Sequence, residues 1–374
     1  MDWITFHKAS ETLAAQAHAA MRDGNTTKAE GLFCQAAEAE ERALGVLDAS
    51  KTRTLGITAV SAVSLWYKGK DLEHASFLAY RCLANPALAK PAREQLDDLV
   101  QTLYTERERQ RLTGEFLPGS VTVAVKGGNV LRGAAPLDLI VEKVKTLQSI
   151  FFRVVEWSSG KPLRRRGGPA KDITSSFEPW LVQEAPGSFQ FSVAVKVNGQ
   201  MDMFTPERLE AADIAKKFLD VVTTMATDST GEASKQLVPD DEYRGTLRKL
   251  IRNLTPPANS TEAVIISSKG REDAAVILDE STRPKLDMAI KAESPKADES
   301  AGELMQEFTG VLRALDLDSD WLKVDVEDGQ QLTVKGLSQA VDDVIGPMVN
   351  KLVLVKAVKT KRGELKFVDV AIAG

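Results

Sequence analysis

A change of period near residue 115 limits the fold more than any other feature. From Ala9 to Arg111 the chain is alanine-rich, with apolar residues at helical spacing and few β-branched runs. It is broken only at "DGN" (23–25), "DASK" (48–51), "KGKD" (68–71) and "ANPALAKP" (84–91). These breaks predict about five helices joined as hairpins. After "TGEFLPGS" the stretch "VTVAVKG" (121–127) alternates and is β-branched, the pattern of a strand. A chain that carries the two periods in separate blocks reads as multidomain α+β, with an all-α front end, a central α/β part and a small barrel at the end. The expected boundaries are 1–113, 114–260, 261–302 and 303–374, and the 374-residue length allows that many domains.

Two stretches of the helical block are alike. "MRDGNTTKAEGLFCQA" and "YKGKDLEHASFLAYRC" each set a polar turn four residues before an alanine (Ala29, Ala75), then a small residue seven further on (Ala36, Cys82). Small residues at that spacing let antiparallel helices approach closely. The second copy, extended to "LWYKGKDLEHASFLAYRCLA", resembles a tetratricopeptide repeat in its order of tyrosine, turn, alanine, aromatic and alanine. The Trp-x-x-Leu-Gly signature is absent, and the two alanines are 46 residues apart where that repeat has a period of about 34. The resemblance implies a helical-hairpin domain that binds a protein or peptide in a groove; the alternative is a plain bundle.

In the central part, "APLDLIVEKVKTLQSIFFRVVEWSSG" has Pro136 at a helix start and Gly160 as its terminator. Next comes "KPLRRRGGPAKD", which holds Lys161, Arg164, Arg165, Arg166 and Lys171 among glycines and prolines. "FQFSVAVKV" (189–197) reads as a strand, and helices are expected over 206–227 and 240–254. The last of these carries Arg244, Arg248 and Arg252 at a spacing of four. If it lies beside the loop, the six arginines make one basic face, and the eight cations just named form the candidate partner- or anion-binding site. On that reading the loop faces a partner, and replacing Arg164, Arg165 and Arg166 with alanine leaves stability within roughly 0.5–1 kcal/mol. The structural alternative is a solvated loop whose cations suit the negative end of a helix, or an anchor that pairs with carboxylates.

Residues 262–280 read as two strands across "SKGRED", followed by a helix opened by Ser281 or Thr282 and a polar linker at 293–303. Thereafter three strands, the helix "LSQAVDDVIGPMV" and a hairpin turning at Arg362–Gly363 follow in the order of an OB-fold barrel. The resemblance lies in the order of elements, so an SH3-like barrel is the alternative. With nine basic and twelve acidic residues in 303–374, and only Phe308, Trp321 and Phe367 as aromatics, the barrel favours protein docking over nucleic acid.

Several chemistries are excluded by residue type. All three histidines (His7, His18, His74) lie in the helical block without metal spacing, and two cysteines make no disulfide framework. "GNVLRGAA" (128–135) lacks the Lys-Ser/Thr of a phosphate loop. Asp316, Asp318, Asp320 and Glu327 have calcium-loop spacing, but Trp321 stands where glycine is required, so a charged β-turn is expected. No catalytic residue, metal or cofactor is assigned. With a net charge of −5, no secretion signal and no long apolar run, the expected setting is cytoplasmic and away from membranes. The expected function is a non-catalytic adaptor that binds a protein partner through the helical domain, an accessory of a bacterial system such as phage defence or toxin control. One alternative is nucleic-acid binding through the cations of 161–171 and 244–252. The other is a metal-independent enzyme using Asp240, Asp241 or Glu242 near Arg244.

Overall fold

A computed structural model describes residues 2–48, 50–112, 120–128, 130, 134–183, 189–195, 211–257, 262–268, 275–293, 304–327, 329–337 and 342–373. The expected turns at 185–188 and 269–273 and the linker 294–303 lie outside these residues. The chain is mixed α+β and forms two compact units, one built on residues 1–113 and the other on 114–182 with 188–374.

The first unit has five helices: α1 (Trp3–Arg22), α2 (Thr26–Gly45), α3 (Thr52–Lys68), α4 (Leu72–Leu83) and α5 (Lys90–Leu112). The turns before α2 and α4 have the same construction, 46 residues apart. Gly24 and Lys70 both take positive φ (75° and 64°). Asn25 N–H donates to Ala20 O and Asp71 N–H to Trp66 O. The side chains of Asn25 and Asp71 then accept from the N–H groups of Lys28 and His74. Such caps contribute about 1 kcal/mol each. Ala29, Ala36 and Ala75 are fully buried and Cys82 nearly so. Two glycines mark the closest approaches: a Cβ on Gly56 would lie 2.6 Å from Ala92 Cβ, and one on Gly69 would lie 2.5 Å from Cys34 Sγ.

The second unit holds a five-stranded sheet in the order β2 (Pro179–Gln183), β3 (Phe189–Val195), β1 (Val121–Lys126), β4 (Ala263–Ser268), β5 (Val276–Leu278), with β3, β1, β4 and β5 antiparallel. Val121, Val123 and Val125 alternate inward on the central strand, and Val193, Ile266 and Val264 stand in register beside them. The strands β4 and β5, expected to stand apart from 114–260, thus complete its sheet. Around it are α6 (Leu137–Ser158), α7 (Lys171–Ser176), α8 (Ala211–Thr227), α9 (Glu232–Leu237), α10 (Asp241–Leu254) and α11 (Thr282–Glu293). The strand β2 reads PWLVQ without alternation, and the six-residue helices α7 and α9 span under two turns, so none of the three shows a period.

The chain then forms a closed barrel from β6 (Leu304–Asp316), β7 (Trp321–Val326), β8 (Gln331–Lys335), β9 (Leu352–Lys359) and β10 (Leu365–Ile372). Its order is β10-β8-β7-β6-β9, and β9 pairs with β10 to close it; β8 and β10 run parallel, all other pairs antiparallel. Leu312, Leu322, Val324, Val334, Val353 and Val355 fill it. Between β8 and β9, the described part of the expected helix holds α12 (Asp342–Ile345) and a 3-10 turn at Gly346–Met348, while 338–341 lie outside the described residues. One continuous apolar cluster joins sheet, helices and barrel.

Candidate binding site: an arginine clasp and a buried arginine stripe

At the end of α6, Gly160 takes φ 65° and the N–H of Lys161 returns to Glu156 O, which stops the helix and sends the chain toward the barrel. The barrel meets it with acids. Arg153 of α6, fully buried, grips Asp343 with two hydrogen bonds of 2.9 Å, from Nε to Oδ2 and from NH2 to Oδ1. Its NH1 donates to Arg164 O at 2.6 Å, so a side chain missed in the sequence organises the loop backbone. The available signal was a lone arginine inside an apolar helix face with Glu156 three residues on.

The loop arginines divide. Arg164, 16% exposed, donates from Nε to buried Glu156 Oε1 at 2.8 Å and lies 3.7 Å from Asp343. Arg165, half-exposed, donates to Leu337 O at 2.6 Å and lies 3.6 Å from Asp320. Arg166, 61% exposed, pairs with Asp318. Backbone bonds lock the same junction: Gly167 N–H to Asp342 Oδ2 at 2.6 Å, and Asp342 N–H to Arg165 O at 3.0 Å. Lys161 pairs with Asp172 at 2.8 Å, while its carbonyl accepts from Tyr243 Oη at 2.9 Å. Burial, with Glu156 nearby, pushes that phenol up to about 12. Lys171 is exposed at the start of α7.

Arg244, Arg248 and Arg252 are not part of an exposed face. The expectation of six arginines on one surface is corrected: all three are buried along α10. Arg252 grips Asp369 of β10 at 2.6 and 3.1 Å and donates to Val370 O at 2.6 Å. Burial alone would raise the Asp369 carboxyl, but the Arg252 guanidinium beside it prevails and holds it below its ordinary value. Arg244 donates to Glu293 Oε1 at 2.9 Å and to Val238 O at 3.0 Å, and also pairs with Asp241. Arg248 NH1 lies 2.6 Å from Glu293 Oε2. The physical reason is that α10 packs between α11 and the barrel, both of which supply carboxylates. An i, i+4, i+8 stripe gives the same pattern whether it meets water or acids.

Two of the three candidate catalytic carboxylates have structural work, and the third, Glu242, is exposed on α10. Asp240 caps α10 by accepting from the N–H groups of Glu242 and Tyr243, and Asp241 pairs with Arg244. Asp316 closes its own turn onto Asp318 N–H, Ser319 N–H and Ser319 Oγ. Asp318 and Asp320 serve the clasp, and among the described residues no cluster of three or more metal-ligating side chains occurs. A cavity between the sheet and α6 and α8 is lined by Val121, Val123, Phe151, Val193 and Phe218 among others, all apolar, so it has no group to move a proton. No described helix is long and apolar enough to cross a membrane.

In the helical unit, adjacent acids of α2 each hold a histidine that stacks on a tryptophan. Buried Glu40 meets His7 Nδ1 at 3.0 Å, and His7 stacks on Trp3 at 4.8 Å. Glu41 meets His74 Nε2 at 3.0 Å and accepts from Trp66 Nε1 at 3.2 Å and Arg81 NH2 at 2.7 Å; His74 stacks on Trp66 at 4.1 Å. All three histidines are thus placed, the third edge-on to Phe33. On the outer side of α4, Phe77 and Tyr80 are 63% and 60% exposed, and the Arg81 guanidinium lies 5.8 Å from the Phe77 ring centre.

Comparison with protein-family models, curated proteins and solved structures finds no match to this chain.

Proposed function

We propose that the chain is a non-catalytic adaptor whose helical unit docks a protein partner through α4. The carrying observation is the pair Phe77 and Tyr80, two large aromatic rings one turn apart that face water. Burying both against apolar side chains of a partner would remove enough apolar surface to make them the anchors of an interface. The shared construction of the two turns, though at an offset of 46 and not about 34, supports a tetratricopeptide-like array of hairpins, in which such faces are presented in series. The Glu40–His7 and Glu41–His74 networks fix α2 against its neighbours, so the face is presented by a rigid support. The test is crosslinking and affinity capture with wild type against a Phe77→Ala, Tyr80→Ala double variant of unchanged circular dichroism. Loss of one reproducible protein partner in the variant supports the reading; capture of the same partner by both rules it out.

A second reading rests on a different observation. The strand order β10-β8-β7-β6-β9, the parallel β8–β10 edge and the α12 insertion support an OB-type barrel over an SH3-like one. On its outer side the Lys323 ammonium lies 5.2 Å from the Trp321 ring centre, and the register sets Lys335 opposite Trp321 and Lys366 beside Lys335. A stacking ring among lysines suits a single-stranded nucleic acid. On this reading a nucleic acid would meet the barrel instead of the arginine loop. Binding of an oligonucleotide that weakens steeply with salt and is lost in Trp321→Ala with Lys323→Ala would favour it over the adaptor reading.

A further inference from the structure

Arg248 is a buried charge with little compensation among the described residues. It has no exposed side-chain surface, and its one acidic neighbour, Glu293 Oε2 at 2.6 Å, is a close contact without the alignment of a hydrogen bond. None of its three nitrogens makes a hydrogen bond. Arg244, one turn earlier and also buried, holds the other oxygen of the same carboxylate. Its second acid, Asp241, is 86% exposed and therefore well screened. Further along the stripe Arg252 takes Asp369 for itself. Two buried guanidiniums thus share one carboxylate, which leaves the site short of negative charge and of acceptor lone pairs. Both deficits are costly in a dry interior.

Glu293 is also the member of the trio that meets solvent: its side chain is 26% exposed, against 3% for Arg244 and none for Arg248. It is the last described residue of α11. A phosphate offers three oxygens and up to two charges where the glutamate offers two oxygens and one, so it would satisfy the idle donors of Arg248 as well as those of Arg244. We propose that Arg244 and Arg248 form a buried oxyanion site, occupied in cis by Glu293, that takes inorganic phosphate or the phosphate of a small monoester when Glu293 moves out. The site is separate from the α4 docking face and does not depend on it.

The experiment titrates inorganic phosphate, and phenyl phosphate as a monoester, into the full chain at constant ionic strength, read by calorimetry and by thermal shift. Glu293→Gln keeps the size of the plug but removes its charge, and is expected to bind at least one of the two probes roughly tenfold or more tighter than wild type. Binding of phosphate alone means the pocket closes around a whole ion; equal or tighter binding of phenyl phosphate means it is open to an organic group. The double variant Glu293→Gln, Arg248→Gln is expected to lose the gain. A folded Glu293→Gln that binds neither probe more tightly than wild type overturns the proposal, as does a double variant that binds as well as the single one. If Glu293→Gln folds only in phosphate buffer, the anion has replaced the carboxylate and the proposal stands; if it stays unfolded in every buffer, the proposal fails. Should the double variant not fold, the Nε–Hε nuclear magnetic resonance signals of Arg244 and Arg248 in Glu293→Gln decide instead: they must shift with phosphate, and unshifted signals overturn the site.

Discussion

Replacing the clasp arginines one at a time separates a structural junction from a binding loop. Arg164→Ala removes the 2.8 Å partner of Glu156, a carboxylate buried to about the same degree as the core around it. The remaining cation near Glu156 is Arg153 at 3.5 Å, already committed to Asp343 through two bonds. Removing one partner of a buried pair costs about 3–5 kcal/mol. The low end applies here because Arg153 stays in reach, so the expected loss is about 3 kcal/mol, or roughly 6–12 °C in Tm for a unit of this size. Arg165→Ala deletes the bond to Leu337 O and a half-exposed contact with Asp320, for about 1 kcal/mol. Arg166→Ala breaks a pair in which both side chains are mostly exposed, for about 0–0.5 kcal/mol. Scanning calorimetry of the full chain is the suitable assay, because two units need not melt together. A double-mutant cycle with Glu156→Gln adds a check: once the carboxylate is neutral, losing Arg164 should cost much less. Equal costs for all three alanines, or an Arg164→Ala loss under about 1 kcal/mol, would refute the junction and return the loop to a partner.

Two further outcomes follow from paired and hydrogen-bonded acids. Asp369→Asn leaves Arg252 without its buried countercharge and should cost about 3–5 kcal/mol in the same scan, while Asp287→Asn, on the more exposed side of Arg252, should cost under about 1 kcal/mol. Asp228 accepts from Ser234 N–H and Oγ, Thr230 Oγ1 and Gly231 N–H, and these bonds outweigh burial and hold its carboxyl well below the usual range. Because the folded value is the depressed one, its stabilisation is complete above the unfolded carboxylate range and is lost as pH falls below about 4. Urea melts from pH 6 to pH 3 should therefore show a flatter decline in Asp228→Asn than in wild type, and parallel curves would contradict this.

The elements that declare themselves in sequence are those long enough to repeat their period. The five front helices, α6, α10 and the barrel strands all span several turns or alternations, and most of their periodic apolar residues are buried, with Phe77 and Tyr80 of α4 as exposed exceptions. The turns at Gly24 and Lys70 were legible for another reason: a cap residue three before its N–H partner is a local device. The pairing of β4 with β1 was not legible, since 263 and 126 meet across more than a hundred residues and nothing in either strand names the other. The short β2, α7 and α9 carry no period at all.

The site was half legible, and the half that failed did so for one reason. Arginine at three consecutive positions and at every fourth position on α10 marks a place where charge matters, and charge does matter in both places. Sequence spacing cannot say whether the opposing charge comes from a ligand or from the same chain. Here it comes from acids more than a hundred residues away, Asp343 for Arg153 and Asp369 for Arg252, and from Glu293 for Arg244. Two of these acids, Asp343 and Asp369, each answer one buried arginine with two hydrogen bonds, so those contacts are complete as fasteners. Glu293 answers two arginines and satisfies only one of them. Within an otherwise internal set of ion pairs, that unequal share is what distinguishes a place to receive an anion from a place that has already received its own.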